Sequence, residues 1–268
     1  MTSRVPEGAP ERTLGHTPPL RVLVTGAARG LGAALTAAFR ERGDDVLATD
    51  RDGDGVDLTL DITSGDDWAA ARRHVEETWG GLDVLINNAG VAGGGRLDVA
   101  TLDEWRWITE INLFGVVRGT ATFVPVFKAQ RSGHVVNIAS LAGLVHPAGM
   151  ASYNAVKAAV VALTETTGHE LAPYGVRASA VCPSYFRTGL VDAMRGEDTT
   201  LGAVIAQLVA SAPLGPEEIA PAVLEGIDRG DELILPDPAA RAAYELKLTD
   251  RVAYDAQMRR QAARLEEL

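Results

Sequence analysis

Short runs of β-branched and aliphatic residues alternate along this chain with segments of helical periodicity, and that alternation limits the possible folds more than any other feature. "RVLVTG" (21–26) reads as a buried strand ending in a glycine turn, "GAALTAAFRERG" (32–43) as a helix closed by Gly43, and "DVLATD" (45–50) as a second strand. A weaker strand before "DIT" precedes a helix from Ser64 to Trp79, with Ser64 as N-cap and acidic residues in the first turn. "DVLINNAG" (83–90), "HVVNIAS" (134–140), "VRASAVCP" (176–183) and "ELILP" (232–236) read as further strands, and long helical segments span 103–128 and 151–172. Strand–helix alternation of this kind means βαβ units, a parallel sheet and one α/β doubly wound domain. The expected organisation is a disordered arm over 1–19, the domain over 20–237 and a helical extension over 238–268.

A sheet covered by helices on both faces needs a large core. The 268 residues, 46% of them hydrophobic, are enough for one. The net charge of −11 disfavours nucleic acid and anionic membrane as partners, since either would select a basic face. Cys182 is the only cysteine, so an intrachain disulfide and a thiolate zinc cluster are both excluded. The five histidines are scattered, and no metal site is expected. No apolar run approaches the ~20 residues of a membrane span, and the first residues lack the apolar stretch of a signal peptide. The expected location is cytoplasmic.

Sheets of this class bind ligands at the carboxyl ends of their strands. Gly26, Asp50, Asn87, Ser140 and Pro183 all end a strand. "TGAARGLG" (25–32) joins the first strand to the first helix, and Gly26, Gly30 and Gly32 would let the backbone turn tightly against a pyrophosphate at the helix N-terminus. Asp50 lies 18 residues beyond Gly32, where an acid accepts hydrogen bonds from an adenosine ribose and repels a 2′-phosphate. That favours NAD. Arg29 and Arg51 flank the same place and keep NADP open.

"SYNAVKA" (152–158) sets Tyr153 and Lys157 four residues apart, hence on one helical face. Alone the pair reads as half-buried decoration. Its chemical reading is an acid/base. A phenol of pKa ~10 is about one part in a thousand ionised near neutrality, and a cation at ~4 Å supplies about the 4 kcal/mol needed to change that. A serine hydroxyl such as that of Ser140 donates to a developing alkoxide.

The glycine loop, "DIT" with Asp61, "NNAG" (87–90), Asn112, Ser140, "YNAVK" and "CPSYFRT", in that order and spacing from about Arg21 to Pro236, resemble the short-chain dehydrogenase/reductase family. The resemblance implies a Rossmann-type domain and an NAD(P)-dependent interconversion of a secondary alcohol and a ketone. Tyr153 would be the acid/base, Lys157 would hold the nicotinamide ribose, and Ser140 would hold the substrate oxygen. Asn112 would order a water linking Lys157 to solvent. Asp61 and Ile62 would line the adenine, Asn87 and Ala89 would lie along the cofactor, and Thr188 would touch the carboxamide. The full expected cofactor set is Gly26, Arg29, Gly30, Leu31, Gly32, Asp50, Arg51, Asp61, Ile62, Asn87, Asn88, Ala89, Gly90, Tyr153, Lys157, Pro183 and Thr188. An NADPH-driven ketone reductase and a nucleotide-sensing protein on the same fold are the rival readings.

One departure stands out. The family commonly places Pro-Gly after the sixth strand, and this chain has Pro183-Ser184. Candidate pocket walls at Val91–Gly95, Leu141, Ala142, His146, Tyr185, Phe186 and Leu190–Leu208 are mostly apolar, which suggests an apolar small-molecule alcohol or ketone. The helices at 103–128 and 151–172 are apolar on more than one face, as in a homodimer or homotetramer buried through them. The tail after Pro238 places Tyr244, Leu248 and Val252 at four-residue spacing. It could cover the pocket, pack on a neighbour or stay solvated. With the sheet complete by Pro236, its removal is expected to leave the fold intact.

Overall fold

The computed structural model describes residues 19–53, 55–265 and 267. Except for Pro19, the N-terminal arm assigned from sequence lies outside the described residues. Seven strands form one sheet: β1 (Arg21–Thr25), β2 (Asp45–Asp50), β3 (Leu58–Thr59), β4 (Val84–Asn87), β5 (Gly133–Ile138), β6 (Val176–Val181) and β7 (Leu233–Ile234). Every pairing is parallel, in the order β3-β2-β1-β4-β5-β6-β7. The strand order runs outward from β1 in both directions. A crevice therefore opens between β1 and β4 at the carboxyl ends, where helices leave toward opposite faces.

The period-two alternation of the strands explains why both faces are buried. Val22 and Val24 pack with Leu35 and Phe39 of α1 (Gly30–Glu41) and with Val223 and Ile227 of α8 (Pro216–Arg229). Leu23 points the other way, toward Trp68 of α2 (Gly65–Trp79) and Phe123 and Phe127 of α4 (Gly115–Gln130). Ser64 caps α2 as the sequence indicated, accepting from the Asp67 amide.

The single helix expected over 103–128 has three parts: α3 (Leu102–Thr109), a π-helical turn (Glu110–Phe114) and α4. The remaining helices are α5 (Ala142–Val145), α6 (Ala151–Leu171), α7 (Thr199–Ala210), α9 (Pro238–Thr249) and α10 (Arg251–Leu265). The tail after Pro238 is thus helical, as expected, and one side of it packs on the domain while Leu248 and Val252 stay exposed. Tyr254 is buried with Val160, Val161, Ala180 and Cys182, and Ala243 and Leu246 pack on the same cluster. The second apolar face of α6, which suggested a neighbouring subunit, is covered at Val160 and Val161 by the chain's own extension. Among the described residues, no helix is long and apolar enough to cross a membrane.

Candidate active site

The β1–α1 loop runs over the crevice. Gly26 has φ +66°, and a Cβ there would lie 2.8 Å from Ala89 Cα. At Gly32 a Cβ would meet the Gly26 carbonyl oxygen at 2.1 Å. No larger residue fits either place, so the loop lies flat against the end of β4. Asn88 holds it there, its amide donating to the carbonyls of Thr25 (2.8 Å) and Gly26 (3.1 Å). The Thr25 hydroxyl accepts from the backbone amides of Asn88 and Ala89. The α1 N-terminus starts at Arg29 with no side-chain cap, which leaves its first amides for a ligand. An uncapped helix start beside a flat glycine turn suits an anionic pyrophosphate. Thr188 closes the opposite side, its Oγ1 3.2 Å from where a Gly30 Cβ would stand.

Asp50 reaches back to this loop. One carboxylate oxygen accepts from the Ala28 amide at 3.1 Å and the other from its neighbour Arg51 at 2.7 Å. Arg29 and Arg51 are exposed, and Arg51 lies 3.6 Å from Asp52. Asp61 forms a local turn, accepting from the Thr63 amide and hydroxyl. Burial raises its pKa, but those hydrogen bonds and the charges of Arg51 and Arg118 outweigh it and hold the carboxyl below its ordinary value.

Ser140, Tyr153 and Lys157 meet at the ends of β5 and β6. The Lys157 ammonium donates to the Ile138 carbonyl at 2.9 Å and lies 5.8 Å from the centroid of the Tyr153 ring. The Ser140 hydroxyl accepts from the Ala142 amide at 3.1 Å, and it lies near enough to the phenol to lower its pKa. Burial pushes the Tyr153 phenol up to about 12, against the pull of Ser140. It also pushes the Lys157 ammonium down to about 8. Burial is the largest influence on the phenol, and the Lys157 charge is not among the groups that offset it.

Asn112 lies in the π turn, which sets its amide against the loop after β4. Its Oδ1 accepts from the Val91 amide at 2.8 Å, and its Nδ2 donates to the Val91 carbonyl at 2.9 Å. Each end of the side chain makes one bond and keeps a second hydrogen-bonding position. Gly90 gives it room, since a Cβ there would come 2.9 Å from Asn112 Oδ1.

Three residues of the expected cofactor set turn their side chains into the core. The Asn87 side chain turns into the core, donating to Asn137 Oδ1 at 2.8 Å and Thr120 Oγ1 at 3.3 Å, while Asn137 donates to Thr164 at 2.9 Å. It ties β4 and β5 to α4 and α6, a role that no local signal marked. Ile62 is buried against Trp68 and beneath Gly115, where a Cβ would lie 2.5 Å from Ile62 Cδ1. Leu31 is buried in the α1 layer. For Ile62 and Leu31, backbone alone is left to face a ligand. Ser184 needs no positive φ. Its amide and hydroxyl both donate to Asp237, at 2.9 and 2.6 Å, so the serine departs from the family pattern with a structural purpose.

The surroundings of Tyr153 are apolar. Ile108, Met150, Val156, Leu201 and Ile205 are buried with it, and Val91, Val191 and Met194 pack on the same cluster. Among the expected walls, Tyr185 joins this side by donating to Met150 Sδ. Phe186 instead packs with the α1–α8 layer.

A short chain dehydrogenase profile matches residues 21–199. The chain is 33% identical over 213 residues to the 3-oxoacyl-(acyl-carrier-protein) reductase FabG of Vibrio cholerae, covering 75% of this chain and 86% of that one. It is 35% identical over 182 residues to a 3-alpha-(or 20-beta)-hydroxysteroid dehydrogenase of Mycobacterium tuberculosis, covering 63% and 70%. A short-chain dehydrogenase/reductase from Burkholderia phymatum in complex with NAD superposes with a TM-score of 0.79 at 31% identity, over 87% of this chain and 94% of that one. One from Burkholderia cenocepacia in complex with NADP gives 0.76 at 29%, over 89% and 97%. The protein therefore belongs to the short-chain dehydrogenase/reductase family, oxidoreductases that act on CH–OH groups with a nicotinamide cofactor.

Proposed function

We propose that this protein interconverts an apolar secondary alcohol and its ketone, with NAD(H) preferred over NADP(H). The observation that carries the reading is the burial of Tyr153 and Lys157 beside the half-buried Ser140, with apolar side chains packed around the phenol. Apolar lining with a few converging polar groups selects an apolar body bearing one reactive oxygen.

When bound, the nicotinamide supplies a hydride acceptor, or a donor in the reverse direction. The chain's own groups manage the oxygen and its proton. The Tyr153 phenol, held protonated by burial, delivers its proton to a ketone oxygen as that oxygen gains charge. In the oxidative direction it takes the proton back. The Ser140 hydroxyl orients the oxygen and donates to it as negative charge develops. Lys157, fixed on the Ile138 carbonyl, keeps its ammonium behind the phenol. Asn112 positions the loop after β4 through Val91.

The cofactor preference rests on Asp50. Its carboxylate is tied to the glycine loop, so a 2′-phosphate would meet a like charge there, a mismatch of roughly tenfold to a hundredfold. The nicotinamide absorbance, followed over a panel of alcohols and ketones with both cofactors, tests the reading. Higher kcat/KM with NAD(H) is expected, with Asp50→Ala narrowing the gap. Tyr153→Phe should abolish turnover while titration still shows NADH binding. Equal efficiencies with both cofactors, or turnover retained in Tyr153→Phe, would contradict it.

A further inference from the structure

Three polar contacts of the extension lie around the catalytic cluster. At its start Asp237, 1% exposed, takes both the amide and the hydroxyl of Ser184, directly after β6, while also capping α9 through Ala240. In its middle the Lys247 ammonium donates to the Leu144 carbonyl of α5, the turn that follows Ser140, and lies 3.0 Å from His146 Nδ1. At the end of α10 the Leu265 carbonyl accepts from Arg96 at 3.4 Å, in the loop after β4.

Arg96 joins this end to the pocket wall. Its guanidinium grips both oxygens of Asp198, at 2.9 and 3.2 Å, and its backbone amide donates to the same carboxylate at 3.0 Å. Asp198 is the N-cap of α7. One arginine thus holds α7 and the end of α10 together. The Leu265 side chain is buried in the same apolar cluster as Tyr153, Met150, Leu201 and Ile205. A Cβ on Gly149 would come 2.9 Å from Leu265 Cδ1 and 3.0 Å from Leu201 Cδ2, so both leucines press on the turn that starts the Tyr153 helix.

We propose that α9 and α10 roof the substrate pocket of their own subunit, and that Leu265 is a specificity-determining residue that sets its size. The inference rests on the alcohol–ketone reading above and names the substrate class more closely: compact apolar alcohols enclosed whole, rather than acyl groups tethered to a carrier protein. Removing three carbons from the roof makes room for a bulkier body, and one methylene in an apolar pocket changes selectivity by roughly 10- to 200-fold.

Two measurements test it. In the first, kcat/KM is compared for isopropanol, cyclohexanol, menthol and decalol with NAD. Leu265→Ala should raise the decalol-to-cyclohexanol ratio roughly tenfold, with Leu265→Met close to the unaltered protein and the NADH dissociation constant unchanged in both. A ratio that does not move overturns the specificity role. In the second, hydrogen exchange is followed without substrate. Leu265→Ala should speed exchange in α7 and at residues 149–150 while the sheet strands keep their protection. Unchanged exchange in α7 overturns the roof. If the unaltered protein oxidises none of the alcohols, the alcohol–ketone reading fails, and the exchange measurement still decides the closure.

Discussion

At the scale of the residue, Lys157 and Tyr153 carry opposite consequences of one burial. The Lys157 ammonium has a folded value of about 8 against 10.5 in the unfolded chain. Between those values the unfolded chain binds a proton that the folded one does not, so stability rises with pH. Below pH 8 the folded protein bears the full cost of the buried charge, about 3 kcal/mol. Tyr153 acts the other way and later. Between 10 and about 12 the folded phenol keeps a proton that the unfolded one releases, and stability falls as pH rises. Lys157→Met removes the first effect and leaves the second. The stability of the unaltered protein relative to this variant, from urea unfolding, should therefore climb by about 3 kcal/mol between neutral pH and 10.5. A flat difference would mean that the ammonium is solvated. The same pair shows how far sequence can go. Tyr153 and Lys157 are identifiable by their spacing, but the balance between Coulomb attraction and desolvation depends on burial depth, which no local pattern encodes.

At the scale of the element, the segment 103–128 reads as one helix from its periodicity, and the structure inserts a π turn in it. The extra residue in that turn rotates Asn112 onto Val91, so the interruption serves the site. Beyond it, small residues let α4 approach its neighbours closely. A Cβ on Gly119 would come 2.3 Å from Asn87 Oδ1 and 2.6 Å from the Trp68 ring. Alanine is the better helix former by about 1 kcal/mol, yet Gly119→Ala should lower stability by roughly 1–3 kcal/mol through overpacking, read as a lower denaturation midpoint. An unchanged or raised midpoint would mean that the Asn87–Asn137 bridge moves aside freely.

At the scale of the molecule, the extension alters what the domain is. The sheet is complete at β7, as the sequence indicated, but Val160, Val161, Ala180 and Cys182 are covered by α9 and α10. Deleting residues 239–268 should therefore expose an apolar surface and lower the melting temperature by several degrees, at about 2–4 °C for each kcal/mol lost. This adds a stability cost to the expectation that the fold stays intact without the tail. A melting temperature matching the full chain would mean that the extension is an appendage. The covered face of α6 also narrows where a second copy could sit. Leu102 (72% exposed) and Phe114 (46% exposed) still leave the α3–α4 side open to one, and a homo-oligomer is our expectation there.

The sequence by itself determined the parallel α/β sheet, the crevice at its strand ends, the glycine turn and the Tyr153–Lys157 face. Each of these follows from short-range rules: period two in strands, 3.6 in helices, and the need for glycine where backbone crosses backbone. Even Ser64 as a cap was legible, because a cap acts three residues away. Tertiary structure alone decided that Asn87 faces the core, that burial keeps the Tyr153 proton in place, that Ser184 answers Asp237, and that Arg96 joins Asp198 to Leu265. The partners in those contacts lie far apart in the chain, up to 169 residues for Arg96 and Leu265. Each residue alone is an ordinary asparagine, serine, arginine or leucine, and only the packed core determines which of them meet.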